Sequence, residues 1–198
     1  MEKQQTIASF YEILQLKYAY VLSENWEKLK EISEIRHLHK NELFISMGER
    51  LRYGIFVVNG CLKLSYMDEN GQERIAAFNT ETEYVDNWND IHQQTTLPYS
   101  IYANIPSTIL LCPLEKMTKI FKKESDLLQL CIDLSQSMIK KKEEHYSILT
   151  LKTPIERYKY ILKNRKELVN NLSITDLAKY LHLSRETLSR VRKNFLRM

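Results

Sequence analysis

The sequence predicts an α+β protein in which an N-terminal β-roll is followed by one long helix and then by several short helices. Short apolar runs separated by turn residues fill about residues 36–112, which is typical of β-hairpins. A helical period without Gly or Pro occupies residues 115–149, and a further helix starts at Thr153-Pro154. We therefore expect a domain of N-terminal helices and β-roll over residues 1–114, a long helix over 115–150 and a C-terminal domain over 151–198.

Composition indicates a globular protein without membrane segments. The chain has 198 residues, of which 43% are hydrophobic, and this is enough for a substantial core. No apolar run approaches the roughly 18 residues of a membrane span, and no signal-type stretch follows the charged N-terminus, so we expect a cytoplasmic protein. Cys61, Cys112 and Cys131 are far apart, which favours packed thiols over disulfides or a metal cluster, and no cofactor is indicated.

The central segment contains two turn signals. Asn59-Gly60 separates two apolar runs and predicts a tight hairpin, and Asp68–Gly71 predicts a second, slightly longer one. The residues from about 6 to 34 are predicted to be helical. The predicted strands are Leu43–Ser46, Tyr53–Val58, Cys61–Met67, Glu73–Phe78 and Ser107–Cys112.

Two adjacent apolar stripes run along the predicted long helix, each with alternating steps of four and three residues. The first contains Leu127, Cys131, Leu134, Met138, Lys141, His145 and Ile148. The second contains Leu128, Ile132, Ser135, Ile139, Lys142, Tyr146 and Leu149. Because one stripe suffices for packing within a domain, the second predicts contact with another helix, most simply in a symmetric dimer with Leu134 near the middle of the seam. The alternative is a helix that is merely well buried in its own domain.

The C-terminal segment has the spacing of a helix-turn-helix. Ser173–Leu181 is predicted to be a capped helix, and only His182-Leu183 separates it from a second helix over Ser184–Met198. In that second helix, Leu188, Val191 and Phe195 form an apolar face. The opposite face carries Arg185, Glu186, Ser189, Arg190, Lys193 and Arg197.

Charge is concentrated in the same segment. Residues 151–198 carry 12 Lys and Arg against 4 Asp and Glu, whereas residues 1–150 carry 17 against 21. A basic domain attached to a slightly acidic one indicates a nucleic-acid-binding module, and the helix-turn-helix spacing points to double-stranded DNA.

The order of these parts and several local strings resemble the Crp/Fnr family of bacterial transcription regulators over essentially the whole chain. The string SRETLSR at Ser184–Arg190 is closely similar to the recognition helix of that family. Supporting strings are KNELFISMG at Lys40–Gly48, IFVVNGCL at Ile55–Leu62 and PIER at Pro154–Arg157. The resemblance implies a cyclic-nucleotide-binding-like β-roll (a double-stranded β-helix), a dimerisation helix and a winged-helix-like helix-turn-helix.

The resemblance also implies a transcription regulator that is not an enzyme. Its expected partners are an inverted-repeat operator in double-stranded DNA, a second copy of the chain, and RNA polymerase. The resemblance further implies that a small molecule bound in the β-roll would alter the spacing of the two recognition helices. The resemblance assigns Arg185, Glu186 and Arg190 to base edges, which fits the guanine and cytosine groups that Arg and Glu recognise. Ser184, Thr187 and Lys193 are better placed for phosphates, and Ser189 lies on the same exposed face. Alternatively, Glu186 and Arg190 pair with each other across the helix surface.

Two departures from the family pattern affect the DNA-binding segment. His182 stands where the family usually has Gly in the turn, which is tolerable because His accepts a left-handed backbone more readily than most residues. The chain ends at Met198, before the β-hairpin wing that usually follows the recognition helix. Some phosphate contacts are therefore expected to be missing.

A third departure concerns the effector. Family members that bind cyclic AMP have a Gly-Glu pair and, further on, an Arg-Ser pair, whereas this chain has Asp86-Asn87 and Tyr99-Ser100. Without the Arg, an anionic cyclic nucleotide is disfavoured. The candidate lining of a pocket for a different, unidentified small molecule is Tyr84, Asp86, Asn87, Trp88, Tyr99 and Ser100. The alternative is that these residues pack the roll and satisfy hydrogen bonds within it.

Two other functions stay open at this point. His37, His39 and Glu42, followed by Gly48, faintly resemble the metal-binding string of cupin enzymes, which would make the chain a metal-dependent enzyme on a β-roll. The C-terminal helix pair would also suit a protein-interaction adaptor. Metal analysis and salt-sensitive DNA affinity, respectively, separate these possibilities from a DNA-binding regulator.

Overall fold

The N-terminal segment forms two helices, α1 (Glu2–Lys17) and α2 (Ser23–Ile32), in a computed structural model that describes residues 2–85 and 95–195. Tyr11 of α1 and Trp26 of α2 are each 1% exposed and meet edge to face, with ring centroids 5.6 Å apart. The predicted helical character of residues 6–34 is confirmed for both helices. Their apolar faces contribute to a core that extends along the chain to Leu134.

Two antiparallel sheets face each other as a sandwich, which confirms the predicted α+β class and β-roll. In the described residues, one sheet has the strand order β1-β8-β3-β6 and the other β2-β7-β4-β5. The strands are β1 (Glu34–Leu38), β2 (Leu43–Ile45), β3 (Tyr53–Asn59), β4 (Cys61–Met67), β5 (Glu73–Thr80), β6 (Tyr84–Val85), β7 (Ser100–Ala103) and β8 (Ser107–Pro113).

Strand β1 was not among the predicted strands. It buries Ile35 and Leu38, and this spacing of three residues is closer to a helical period than to the alternation of a strand. Its conformation is set by antiparallel pairing with β8, in which Glu34 lies opposite Leu111. Long-range pairing of this kind leaves no signature in the local sequence.

The prediction of a hairpin at Asn59-Gly60 is wrong. Strands β3 and β4 lie in different sheets, so the chain crosses from one sheet to the other at Gly60. Gly60 has a φ of +101°, and a Cβ there would lie 2.4 Å from the hydroxyl of Ser107, so the crossing requires Gly. The second turn is a true hairpin between β4 and β5, because the Gly71 N–H donates to the Asp68 carbonyl over 2.9 Å.

The predicted long helix is divided into α3 (Leu114–Phe121) and α4 (Ser125–Thr150). Its continuous helical period contains no Gly or Pro, so the break has a tertiary origin. At the start of α4, the Asp126 carboxylate accepts hydrogen bonds from the Leu22 N–H (2.8 Å) and from the Asn25 side-chain amide (2.9 Å). These bonds tie the beginning of α4 to the beginning of α2.

The two stripes of α4 have different environments. Leu127, Leu130 and Leu134 are at most 2% exposed and belong to the core formed with α1 and α2. The placement of Leu134 in a dimer seam is therefore wrong, because this side chain is buried in its own protomer. The exposed stripe of α4 consists of Leu128 (45% exposed), Ile132 (48%), Ile139 (55%) and Tyr146 (71%).

Four short helices follow α4. They are α5 (Pro154–Asn164), α6 (Lys166–Asn171), α7 (Ile174–Tyr180) and α8 (Arg185–Phe195). Helix α5 begins with a capping box in which the Thr153 hydroxyl accepts from the Glu156 N–H and the Glu156 carboxylate accepts from the Thr153 N–H. The predicted helix start at Thr153-Pro154 is confirmed.

The described chain separates into two compact units. The first contains the residues up to Leu64 and those from Phe78 to Ile139, and the second contains Ser65–Ala77 and the residues from Lys140 onward. The second unit thus combines the helix-turn-helix with the tip of the β4–β5 hairpin. The domain boundaries proposed at 114/115 and 150/151 stay predictions.

Replacing Asp126 by Ala is expected to lower the free energy of unfolding by about 1–3 kcal/mol, because the Leu22 N–H and the Asn25 amide lose their acceptor. Glu115→Ala, which removes an exposed ion pair with Lys119, is the matched control and should leave the free energy of unfolding nearly unchanged. Urea unfolding measures both variants. Equal losses would contradict the structural role of Asp126.

Candidate DNA-binding site

Helix α7 and the turn after it form the first half of the helix-turn-helix. The Ser173 hydroxyl accepts from the Asp176 N–H over 3.0 Å, as expected for an N-cap. Leu177, Ala178 and Leu181 are buried. His182 then adopts a φ of +53°, which confirms that it replaces Gly in a left-handed turn position.

Helix α8 begins with a second N-cap. The Ser184 hydroxyl accepts from the Thr187 N–H over 3.1 Å and lies 3.0 Å from the Thr187 hydroxyl. Leu188 is fully buried, and Phe195 packs edge to face on Tyr158 of α5 with ring centroids 5.9 Å apart. The predicted apolar face therefore anchors α8 on its own unit.

The opposite side of α8 presents most of the predicted contact residues together. Thr187 is half-buried because its hydroxyl takes part in the cap. The exposed members are Ser184, Arg185, Glu186, Ser189, Arg190 and Lys193. Arg197 lies outside the described residues. An exposed helix with guanidinium and ammonium groups along one side has the chemistry needed in a DNA major groove.

The carboxylate of Glu186 is held at the N-terminus of α8. A hydrogen bond from its own backbone N–H, then one from the Ser184 hydroxyl, and the charge of Arg185 lower the pKa of Glu186. A negative group is stabilised there by the partial positive charge of the helix end. Glu186 is therefore an ionised acceptor beside Arg185, in the turn of α8 that the sequence assigns to base contacts.

Sequence reasoning missed two side chains that fix the turn between α7 and α8. The Arg157 guanidinium donates to the Leu181 carbonyl over 3.0 Å and to the Leu151 carbonyl over 3.1 Å. The His145 ring stacks on Tyr180 with centroids 4.0 Å apart, and its Nε2 lies 2.8 Å from the Tyr180 carbonyl oxygen. Arg157 lies within the PIER string, so a signal for it was present, whereas His145 appeared only as one position of a stripe.

Part of the positive charge in this unit is neutralised internally. The Arg165 guanidinium forms ion pairs with Glu144 (3.0 Å) and Glu167 (2.7 Å), and Lys179 forms one with Glu73. Arg165 and Lys179 are thus engaged in intramolecular contacts, whereas Arg185, Arg190 and Lys193 are exposed on α8.

Comparison with solved structures finds regulators of the Crp/Fnr type. FixK2 from Bradyrhizobium japonicum is similar with a TM-score of 0.70 and 19% identity, over 82% of this chain and 84% of that chain. The c-di-GMP responsive global regulator CLP from Xanthomonas campestris has a TM-score of 0.71 and 15% identity, over 88% and 92%. A transcriptional regulator described as Crp/Fnr, from Eubacterium rectale, has a TM-score of 0.70 and 13% identity, over 90% and 85%.

The chain has the Crp/Fnr fold. No model of a protein family matches the sequence, and no curated protein matches it. At these sequence identities the likeness establishes the architecture, and the function has to be argued from the residues.

Within the Crp/Fnr fold, the candidate ligand residues of the β-roll are only partly described. Asp86, Asn87 and Trp88 lie outside the described residues. Tyr84 is 5% exposed and packs on Phe56, with ring centroids 4.7 Å apart. This packing corresponds to the alternative in which Tyr84 fills the roll.

The other two described ligand candidates are adjacent in sequence. Tyr99 is half-buried, and the Ser100 hydroxyl accepts from the Met47 N–H over 2.9 Å, so it holds the chain segment before Gly48. A ligand-binding role for Tyr84, Tyr99 or Ser100 stays a prediction.

The geometry gives no support to the cupin alternative. The Glu42 carboxylate accepts from the His39 N–H over 2.8 Å and lies 3.5 Å from Arg36, and His37 lies 3.1 Å from the Thr108 hydroxyl. Across residues 2–85 and 95–195, no three or more His, Cys, Asp or Glu side chains are grouped so that they could hold a metal ion.

In the same part of the chain, no helix is long and apolar enough to cross a membrane.

His182 is expected to make the stability of the helix-turn-helix unit depend on pH. Burial, reinforced by the charges of Arg74, His145 and Arg157, lowers the pKa of His182 to about 4 from an ordinary value of 6.5. Burial likewise lowers the pKa of His145, although the Tyr180 and Ala76 carbonyls and Glu144 oppose it. Both side chains therefore favour the neutral form in the folded protein.

The contribution of His182 to the free energy of unfolding should be fully present above pH 6.5 and should be lost as the pH falls toward 4. The reason is that the unfolded chain then binds a proton that the folded His182 excludes. His182→Asn keeps a residue that tolerates the left-handed backbone and should flatten this loss between pH 7 and 5. Urea unfolding of both proteins at several pH values measures the effect. An identical pH dependence in the variant would refute the assignment to His182.

Proposed function

We propose that this protein is a homodimeric, sequence-specific DNA-binding transcription regulator of the Crp/Fnr type. The observation that carries the proposal is the exposed side of α8, where Arg185, Arg190 and Lys193 project from a doubly capped helix-turn-helix. The excess of positive charge in residues 151–198 supports the same conclusion, because DNA affinity depends on neutralising phosphates.

Base recognition is assigned to the first half of α8. Arg185 and Arg190 each offer a bidentate donor pair to the O6 and N7 acceptors of guanine, and Glu186 accepts from the amino group of cytosine. Ser184, Thr187 and Lys193 contact phosphates, and Ser189 lies between the base-reading positions. Glu186 has a lowered pKa at the N-terminus of α8, so it is an ionised acceptor beside Arg185.

A second copy of the chain is the proposed occupant of the exposed stripe on α4. Leu128, Ile132, Ile139 and Tyr146 span 19 residues of one helix, which corresponds to a rise of about 27 Å. An apolar stripe of this length on a helix whose other face is already buried has the spacing of a helix–helix seam. Two-fold pairing through it supplies two recognition helices for an inverted-repeat operator, with half-site centres about 10 base pairs or a multiple apart.

The proposed regulator responds to a small molecule other than cyclic AMP, and RNA polymerase is its further partner in transcription. The effector assignment rests on the sequence, since Tyr99 stands where a cyclic-AMP site has Arg. An adaptor function would use the same helix pair without DNA, and it is distinguished by the absence of salt-sensitive DNA affinity.

Arg185→Ala and Arg190→Ala should each weaken binding to the operator by about 1–3 kcal/mol and relax the preference at one G·C pair. Lys193→Ala should weaken binding to operator and random DNA alike and reduce the salt dependence, because it removes a phosphate contact. Fluorescence anisotropy with both DNAs at several salt concentrations measures this. If all three variants lose equally on both DNAs, the assignment of base readers fails.

Ile139→Glu should dissociate the dimer at micromolar concentration and lower operator affinity about tenfold or more, since each monomer then binds one half-site alone. Ser137→Glu places the same charge at an exposed position of α4 outside the stripe and is the matched control, which should remain dimeric. Light scattering gives the oligomeric state. A dimeric Ile139→Glu protein, or a monomeric wild type, would rule out this interface.

Cyclic AMP and cyclic GMP should leave the melting temperature unchanged at millimolar concentration. A ligand at 100 times its dissociation constant would stabilise the protein by about 2.7 kcal/mol, so binding would be readily detected. A concentration-dependent rise with either nucleotide would show that the substitution of Arg by Tyr99 does not exclude them.

A further inference from the structure

The tip of the β4–β5 hairpin belongs to the same compact unit as the helix-turn-helix. Residues Ser65–Ala77 group with the residues from Lys140 onward, although strands β4 and β5 themselves continue into a sheet of the β-roll. The DNA-binding unit therefore contains one piece of chain that is covalently part of the β-roll.

The hairpin tip is internally rigid. The Asp68 carboxylate accepts from the backbone N–H groups of Gln72 (2.9 Å) and Asn70 (3.0 Å) and pairs with the Arg74 guanidinium over 2.7 Å. These bonds hold the pKa of Asp68 below its usual range, so the carboxylate is ionised at neutral pH. A turn fixed in this way presents the neighbouring Glu73 in a defined position.

Glu73 contacts the end of helix α7. Its carboxylate forms an ion pair with Lys179, and the two side chains are 29% and 31% exposed, so the pair is partly shielded from water. Lys179 lies in the last turn of α7, three residues before His182 in the turn that leads to α8. A pair with this degree of burial resists screening better than a fully exposed one.

His145 joins the same two segments from helix α4. The ring is 8% exposed, and it hydrogen bonds to the Tyr180 carbonyl at the end of α7 and to the Ala76 carbonyl of the hairpin. A neutral imidazole has one N–H, so it donates to one of these carbonyls at a time. Its flat stacking on the Tyr180 ring fixes the orientation in which either bond is made.

We propose that the β4–β5 hairpin positions the helix-turn-helix for DNA, with Glu73 and His145 as the positioning residues that hold the end of α7. This inference rests on the proposed DNA-binding function and adds a specific mechanical link to it. Neither residue contacts DNA. Each affects DNA affinity by fixing the orientation of α7 and thereby of α8.

The positioning role predicts an effect opposite to that of simple electrostatics. Glu73→Gln removes a negative charge from a DNA-binding unit, which by itself should strengthen DNA binding. Loss of the contact with Lys179 should instead weaken specific binding about three- to tenfold, the effect of a contact worth about 1 kcal/mol. Weaker DNA binding by Glu73→Gln therefore indicates a positioning role for Glu73, whereas tighter binding indicates a simple electrostatic effect.

The test uses the full-length protein and a DNA sequence selected by the wild type from a random pool. Glu115→Gln, which breaks an exposed Lys–Glu pair on α3, is the control for loss of a carboxylate charge and should bind DNA like the wild type. The exchange Glu73→Lys with Lys179→Glu keeps the net charge and should recover most of the loss. Tighter or unchanged binding by Glu73→Gln, or no recovery in the exchange variant, overturns the proposal.

Variants of His145 provide an independent arm. His145→Phe keeps an aromatic ring on Tyr180 but removes the ring N–H, and it should weaken specific DNA binding. His145→Gln keeps an amide donor near the Nε2 position and should stay within about twofold of the wild type. Exposed His39→Gln is the control. Equal affinities of the Phe and Gln variants overturn the role of His145. A wild type without sequence-specific binding would instead refute the proposed function itself.

Discussion

Burial of one face of α4 beneath the N-terminal helices is the constraint on which the rest of the molecule depends. Leu127, Leu130 and Leu134 fill the core with Trp26, and hydrogen bonds from the Leu22 N–H and the Asn25 amide to Asp126 set where the helix begins. A helix fixed in rotation has only its opposite side left for a partner. The exposed stripe that we assign to dimerisation is thus a consequence of how the first unit packs.

The helix-turn-helix unit depends on a second set of buried polar contacts around one left-handed residue. His182 takes a backbone conformation that a side chain tolerates only when its surroundings hold it, and Arg157 and His145 bind the carbonyls of Leu181 and Tyr180 on its N-terminal side. Among the described residues, the Nε2 of His182 is buried without a hydrogen-bond partner. A turn with this composition favours neutral imidazoles, which explains its predicted sensitivity to acid.

The sequence was sufficient where the signals are local and insufficient where they are long-range. The caps at Ser173 and Ser184 and the positive φ of His182 follow from short-range hydrogen bonding and sterics, so these predictions are confirmed. Strand β1, the crossing at Gly60 and the environment of Leu134 depend on which distant segments meet. Both stripes of α4 have the same local pattern, and only tertiary packing decides which one is buried.

Selection of DNA from a random pool by the wild-type protein would show whether two copies of α8 read a symmetric operator. We expect enrichment of an inverted repeat with half-site centres about 10 base pairs or a multiple apart, and an affinity that falls steeply as salt is raised. Failure to enrich any sequence, or enrichment of a single half-site without two-fold symmetry by a dimeric protein, would contradict a regulator that reads DNA with two copies of α8.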